Sequence, residues 1–201
     1  MPTMDRREVL KALASAPLAA AALTWTDADV TAAGQAAEAA RQTAQRTGTR
    51  FTPKFFTARE WATVGVLVDL IIPRDAKSGS ATDAGVPEFM DFMLIDQPNR
   101  QTAMRGGLAW LDDECQSRFD KTFVACADAE RKAVLDDISW PRRARPGMSH
   151  GITFFNSFRD LTASGFFTSK IGMADLGYMG NTFAPDWNGC PDGVLKKLGL
   201  T

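Results

Sequence analysis

The chain has 201 residues, a formal net charge of −1, and 23 basic and 24 acidic side chains spread along its length. That balance excludes the basic footprint of a nucleic-acid-binding protein. The length suits one domain with a tail, and a folded part of roughly 150 residues buries about 70% of the surface its unfolded chain exposes, so a core forms without metal or disulfide staples.

Residues 1–25 read as an export signal. Arg6 and Arg7 precede Glu8, Val9, Leu10 and Lys11, and an apolar, alanine-rich run follows from Ala12 to Leu23, with small-residue cleavage candidates at Ala20, Ala21 and Ala22. The run is too short for a hydrocarbon core that needs about twenty residues. Paired arginines with leucine and lysine three and four positions beyond the second resemble a twin-arginine signal. The competing reading is an amphipathic helix that happens to carry two arginines. The twin-arginine route moves proteins already folded, which suits those that load a cofactor before export. This chain has one histidine, no paired CxxC and no dinucleotide fingerprint, so the cofactor is expected on a companion.

Residues 26–50 are dominated by Ala, Gln, Thr and Arg with almost no large apolar side chain, and are expected to be a low-complexity linker, in part helical because alanine favours helix but with little to bury. The folded domain is placed at 51–201. Thr57-Ala-Arg-Glu60 matches a capping box, and Trp61, Val64, Val68 and Ile71 follow at helical spacing up to Pro73. After a polar loop from Arg74 to Val86, Pro87 sits where a first-turn proline opens a short helix with Phe89, Phe92 and Met93. A third helix spans roughly Arg100 to Phe119, with Met104, Leu108, Leu111 and Cys115 on one stripe. Gly106 and Gly107 each cost that helix about 1 kcal/mol relative to alanine, so something is expected to pack closely there. A fourth begins near Asp128, turns Val134, Leu135 and Ile138 inward, and ends at Trp140-Pro141. The basic cluster Arg142, Arg143 and Arg145 lies between two prolines and reads as a solvated loop.

An aromatic helix follows from Ile152, with Phe154, Phe158, Leu161 and Gly165 on one face and Phe155, Thr162 and Phe166 in a second row. This stripe is wider than one neighbouring helix needs to cover. Beyond it, Gly172, Gly177, Gly180 and Gly189 punctuate a run that still carries Met173, Leu176, Tyr178, Met179, Phe183 and Trp187. Such a segment either folds back on its own core or lies against another protein. No stretch alternates with period two. The fold expected is all-α, one compact domain of five or six helices with a long irregular C-terminal wrap.

No catalytic set assembles from these residues. His150 lacks the companion ligands a metal site needs and an orienting partner for base catalysis. Asp112, Asp113 and Glu114 are neighbours in sequence and so point to different sides of a helix. Of the three cysteines, Cys115 and Cys126 read as buried thiols or as a bridge to one another. Cys190 sits on a Gly-Cys-Pro turn and is a candidate for an intermolecular disulfide.

The chain resembles the gluconate 2-dehydrogenase subunit 3 family, the small subunits that accompany flavin-dependent dehydrogenases of the glucose-methanol-choline type. The likeness runs through Phe55-Phe56-Thr-Ala-Arg-Glu60, Asp69-Leu-Ile-Ile-Pro73, Ala84-Gly-Val86, Phe89-Met-Asp91, Gly107-Leu108 with Leu111-Asp112, Gly165-Phe-Phe167, Gly180-Asn181, Trp187 and Leu198-Gly199. Two departures, the longer link from Lys170 to Gly177 and Thr-Phe rather than Arg-Asp after Asn181, are similar to small subunits of glucoside 3-dehydrogenases. The resemblance implies a non-catalytic, periplasmic, export-carrying subunit. It places FAD and the catalytic base in the large subunit and a cytochrome c or another acceptor downstream, and transfers no catalytic residue here. On this reading Phe155, Phe166, Tyr178, Asn181, Phe183, Trp187 and Cys190 are the expected partner contacts. A self-sufficient enzyme using an aspartate, His150 or Tyr178, and a stand-alone sugar-binding module, are the competing readings.

Overall fold

We describe the fold from a computed structural model, covering residues 26–143, 145–178, 180 and 189–200. Among these residues the chain is all-α and forms eight helices. They are α1 (Asp27–Thr47), α2 (Ala58–Ile71), α3 (Val86–Asp96), α4 (Gln101–Phe119), α5 (Asp128–Ser139), α6 (Ser149–Phe167), α7 (Lys170–Leu176) and α8 (Asp192–Lys197). Single 3-10 turns at Pro98–Arg100, Phe123–Ala125 and Pro141–Arg143 connect several of them.

The aromatic helix α6 is the centre of the molecule. It packs against α2, α3, α4, α5 and α7, and α1 touches it as well. This explains the width of its apolar stripe: Phe154, Phe155, Phe158, Leu161, Thr162 and Phe166 are all buried among neighbouring helices of the same chain. The α4–α6 contact is a reciprocal exchange of rings and glycines. A side chain at Gly107 of α4 would run into the ring of Phe154, and one at Gly151 of α6 would run into the indole of Trp110. The close packing expected at Gly107 is present, whereas nothing lies within 4 Å of where a Gly106 side chain would begin.

Local signals account for the helix starts. Thr57 and Glu60 form the capping box, with the Glu60 N–H donating to Thr57 Oγ1 at 3.3 Å and the Thr57 N–H donating to Glu60 Oε2 at 2.8 Å. Pro87 occupies the first turn of α3, behind Gly85 at φ 82°. The stripe of α4 is as expected, with Met104, Leu108, Leu111 and Cys115 all buried.

Two expectations are corrected. The stretch 26–50 is not a linker, because most of it forms the 21-residue helix α1, which lies along α3. Thr26 and Asp29 cap it reciprocally, and it ends at Gly48 in the left-handed conformation. Its buried face is Ala33 and Ala37, side chains small enough to bring the two helix axes close. The C-terminal region is also more regular than expected, since α7 and α8 account for two stretches of it. Met179 and residues 181–188 lie outside the described residues.

Polar ties fix the loops onto this frame. Asp91, fully buried on α3, accepts backbone N–H bonds from Lys54, Phe55 and Phe56 at 2.8, 2.9 and 3.1 Å, which anchors the strap entering α2. Arg105 of α4 clamps Glu60 at 2.7 and 2.8 Å, donates to the Phe55 carbonyl at 2.8 Å and stacks on the Phe55 ring. The basic cluster is not wholly solvated, because Arg145 pairs with Asp137 at 2.6 Å and Arg118 joins the same carboxylate at 2.7 Å.

Candidate docking surface

Helix α7 is built the wrong way round for an isolated domain. Its seven residues follow Ser169, whose hydroxyl accepts the Gly172 N–H at 3.0 Å and so caps the first turn. Gly172 lies so close to the Phe166 carbonyl that any side chain there would strike it, so this turn presses directly on the end of α6. Ile171 packs on the core beside it. The charged residues of α7 hold it to the body. Lys170 pairs with Glu38 of α1 at 2.7 Å, and Asp175 pairs with Lys77 of the α2–α3 loop at 3.0 Å. The hydrogen bond from Lys170, then that from Gln42, hold the Glu38 carboxyl below its ordinary pKa, so the α1 tether is formed with a charged acid at neutral pH.

The other large apolar residues of α7, Met173 and Leu176, are exposed. Leu176 is 61% exposed, Tyr178 just beyond it 60%, and Met173 36%. The concentration is regional. Among the described residues only two other large apolar side chains before the end of α6, Ile95 and Trp140, are comparably exposed, whereas Phe167, Val194, Leu198 and Leu200 join the three above. Helix α8 buries none of its own residues. Exposed apolar side chains gathered on α7 and just beyond it, at Met173, Leu176 and Tyr178, mark a candidate interaction site.

A groove of about 500 Å³ runs beside α7, between it and α1. Phe89, Ala37 and Gly165 floor it, Met173 forms part of one wall, and the Lys170–Glu38 pair stands at its edge. A second, polar recess of about 310 Å³ lies between α2 and α4. Four of its charges are paired across the two helices, Arg59 with Asp112 at 2.7 Å and Arg105 with Glu60, while Asp113 also lines it.

Of the expected partner contacts, Tyr178 and Cys190 are exposed. Phe155 and Phe166 are corrected. They are 8% and 1% exposed, inside the chain's own core, because α6 is surrounded by neighbouring helices. Asn181, Phe183 and Trp187 lie outside the described residues, as do Arg6 and Arg7. Leu176 and Met173 were not among the expected contacts. The signal for them was their place in a glycine-punctuated apolar run, but which side they face depends on Lys77 and Glu38, far away in the chain.

His150 is exposed in the first turn of α6. Among the described residues no group of three His, Cys, Asp or Glu side chains could hold a metal ion, and no helix is long and apolar enough to cross a membrane. Asp112 is spent on Arg59 and on the Phe123 N–H at 2.9 Å, and Glu114 on Arg118, so these acids are structural ties.

The family model for gluconate 2-dehydrogenase subunit 3 matches residues 58–185, from the first residue of α2 to beyond α7. The chain belongs to the gluconate 2-dehydrogenase subunit 3 family. It is thus a relative of a subunit from a multi-subunit dehydrogenase, and a catalytic partner is implied. Comparisons with curated proteins and with solved structures gave no match. In this subunit 3 relative, α1 and α8 lie outside the matched span while α7 lies within it.

Proposed function

We propose that this chain is the non-catalytic, export-carrying small subunit of a periplasmic FAD-dependent sugar dehydrogenase of the glucose-methanol-choline type, with a glucoside 3-dehydrogenase as the specific partner. The observation that carries the reading is α7, whose charges are turned onto the body through Lys77 and Glu38 while Met173, Leu176 and Tyr178 face out. Stable complexes bury well over about 1,000 Å² in total with an apolar centre, and these side chains, beside the α1–α7 groove that Met173 also lines, supply such a centre. FAD and the catalytic base belong to the large subunit in this scheme, and electrons leave through a cytochrome c. The paired Arg6 and Arg7 give the folded complex its route to the periplasm.

The test is to purify the tagged full-length chain from its own cells and read the flavin spectrum, the mass of the accompanying chain and sugar oxidation with an artificial acceptor. A stoichiometric FAD-bearing partner that carries the activity supports the reading. A chain that purifies alone and oxidises the sugar itself overturns it in favour of a self-sufficient enzyme. A chain that purifies alone, inert, with sugar-dependent quenching of its tryptophans overturns it in favour of a binding module.

A further inference from the structure

Glycines inside the helices meet two different fates. Three of them lie against aromatic rings of the same chain: a side chain at Gly107 would strike Phe154, one at Gly151 would strike Trp110, and one at Gly165 would strike Phe89. In each case the missing side chain lets the ring approach the helix backbone. Gly34 of α1 is different. It interrupts a helix built largely of alanine, where glycine weakens the interior, and nothing lies within 4 Å of where its side chain would begin. The packing of α1 on α3 does not require it, since the buried residues of α1 are Ala33 and Ala37.

Gly34 instead lines the groove of about 500 Å³ between α1 and α7. Val30, four residues before it, and Ala37, three after, line the same groove, so the three share one side of the helix. Gly165 and Phe89, one of the ring-and-glycine pairs, lie on the groove's floor. Gly65 and Gly106 are as open as Gly34, but neither lines a recess described above.

We propose that the groove is the socket for one aromatic side chain of the catalytic partner, seated over Gly34 as Phe154 is seated over Gly107; this rests on the chain having that partner. Interface area argues for it. A stable complex engages about 800 Å² and about 20–30 residues on each side. Met173, Leu176 and Tyr178 are too few to supply that, so the covering surface must continue past α7. Met173 belongs to both places, exposed on α7 and lining the groove, so the groove is the adjoining ground. An aromatic ring suits the space, because it buries a large apolar area at a small loss of conformational freedom. The Lys170–Glu38 pair at the edge already satisfies its two charges, so a ring that enters leaves neither of them unpaired.

The test uses the tagged full-length chain in the cells that supply the partner. Gly34→Leu fills the space over α1 with a good helix former. The isolated variant is expected to melt no lower than the parent, while recovery of the flavoprotein falls at least tenfold. Gly106→Leu, equally open but outside the groove, is expected to recover it as the parent does. Equal recovery by the parent and Gly34→Leu overturns the socket and leaves the subunit reading standing, and equal loss in both variants overturns the socket too. A parent chain that recovers no flavoprotein overturns the subunit reading itself. A second measurement does not depend on Gly34→Leu folding. A photoactivatable benzophenone side chain is placed at Gln35, which is exposed and lines the groove, and the complex is irradiated and digested. A crosslink to a flavoprotein peptide that contains an aromatic residue supports the proposal. A crosslink to a second copy of this chain, to residues 1–25, to a flavoprotein peptide without an aromatic residue, or to nothing overturns it.

Discussion

The ring of Phe154 on α6 fills the space in which a side chain at residue 107 of α4 would have to begin. Gly107 and its neighbour Gly106 therefore predict opposite outcomes for the same substitution. Gly107→Ala forces the Phe154 ring out of a packed core, a cost of about 1–3 kcal/mol or more that helix propensity only partly offsets. Gly106→Ala meets nothing within 4 Å and should stabilise α4 by up to about 1 kcal/mol. Urea unfolding of both variants checks the pair of signs.

Asp91 predicts a second large loss. Its carboxyl oxygens accept three backbone N–H groups from residues 54–56 inside the core. Asp91→Asn keeps one acceptor oxygen, which the amide can turn toward the Phe55 and Phe56 N–H groups, so the Lys54 N–H then faces a donor at a cost of about 1–3 kcal/mol. The expected signature in hydrogen exchange is early loss of protection at Lys54 with α4 protected as before.

What could be read along the chain was what local chemistry decides. The Thr57–Glu60 box, the first-turn Pro87 and the Met104–Leu108–Leu111–Cys115 stripe each depend on neighbours within about one to three turns, and each is present. The packing of helix α1 escaped because its buried face is two alanines, whose value lies in letting α3 approach and which leave no strong apolar pattern. Phe155 and Phe166 were rightly read as part of a wide stripe. What covers that stripe is decided by α2 to α5 folding around α6, which spacing within one helix does not encode. The sidedness of α7 was least legible, because its tethers reach across 98 residues to Lys77 and 132 to Glu38.

Glu88 sets a pH dependence. Burial raises its pKa above the ordinary 4.5, with Asp91 adding to the rise, while its own backbone N–H and Arg41 oppose it. A raised acid binds its proton more tightly when folded, so its contribution to stability is whole below the unfolded pKa and is lost as pH climbs through the folded one. Glu88→Gln should therefore raise the melting temperature at pH 7 and leave it nearly unchanged at pH 4. Thermal melts of both proteins across that range measure the difference, and a variant that melts lower at pH 7 contradicts the assignment.

The export proposal makes its own prediction through Arg6 and Arg7. Replacing both with lysine keeps the charge but removes the paired guanidinium groups. Both this chain and its flavoprotein partner should then remain in the cytoplasm, folded and still bound to one another. Cell fractionation with immunoblots for the two chains reads the result. A partner exported normally without this signal would mean that it carries its own.

Leu176→Ser with Tyr178→Ser separates docking from folding. Both side chains are about 60% exposed, and surface substitutions away from caps, cavities and ion pairs usually stay within about 0.5 kcal/mol. The isolated double variant is therefore expected to melt like the parent. In the complex the same residues would be buried apolar anchors, and truncating such anchors costs about 2 kcal/mol or more each, so co-purification should fall at least tenfold. Lys77→Ala with Lys170→Ala gives the complementary case. It leaves the apolar face chemically intact but removes the Lys77–Asp175 and Lys170–Glu38 pairs that hold α7, so a weaker complex with unaltered Leu176 and Tyr178 would show that the face must be held in place to be recognised. Equal recovery of the partner by the parent and the Leu176/Tyr178 variant would remove α7 from the interface.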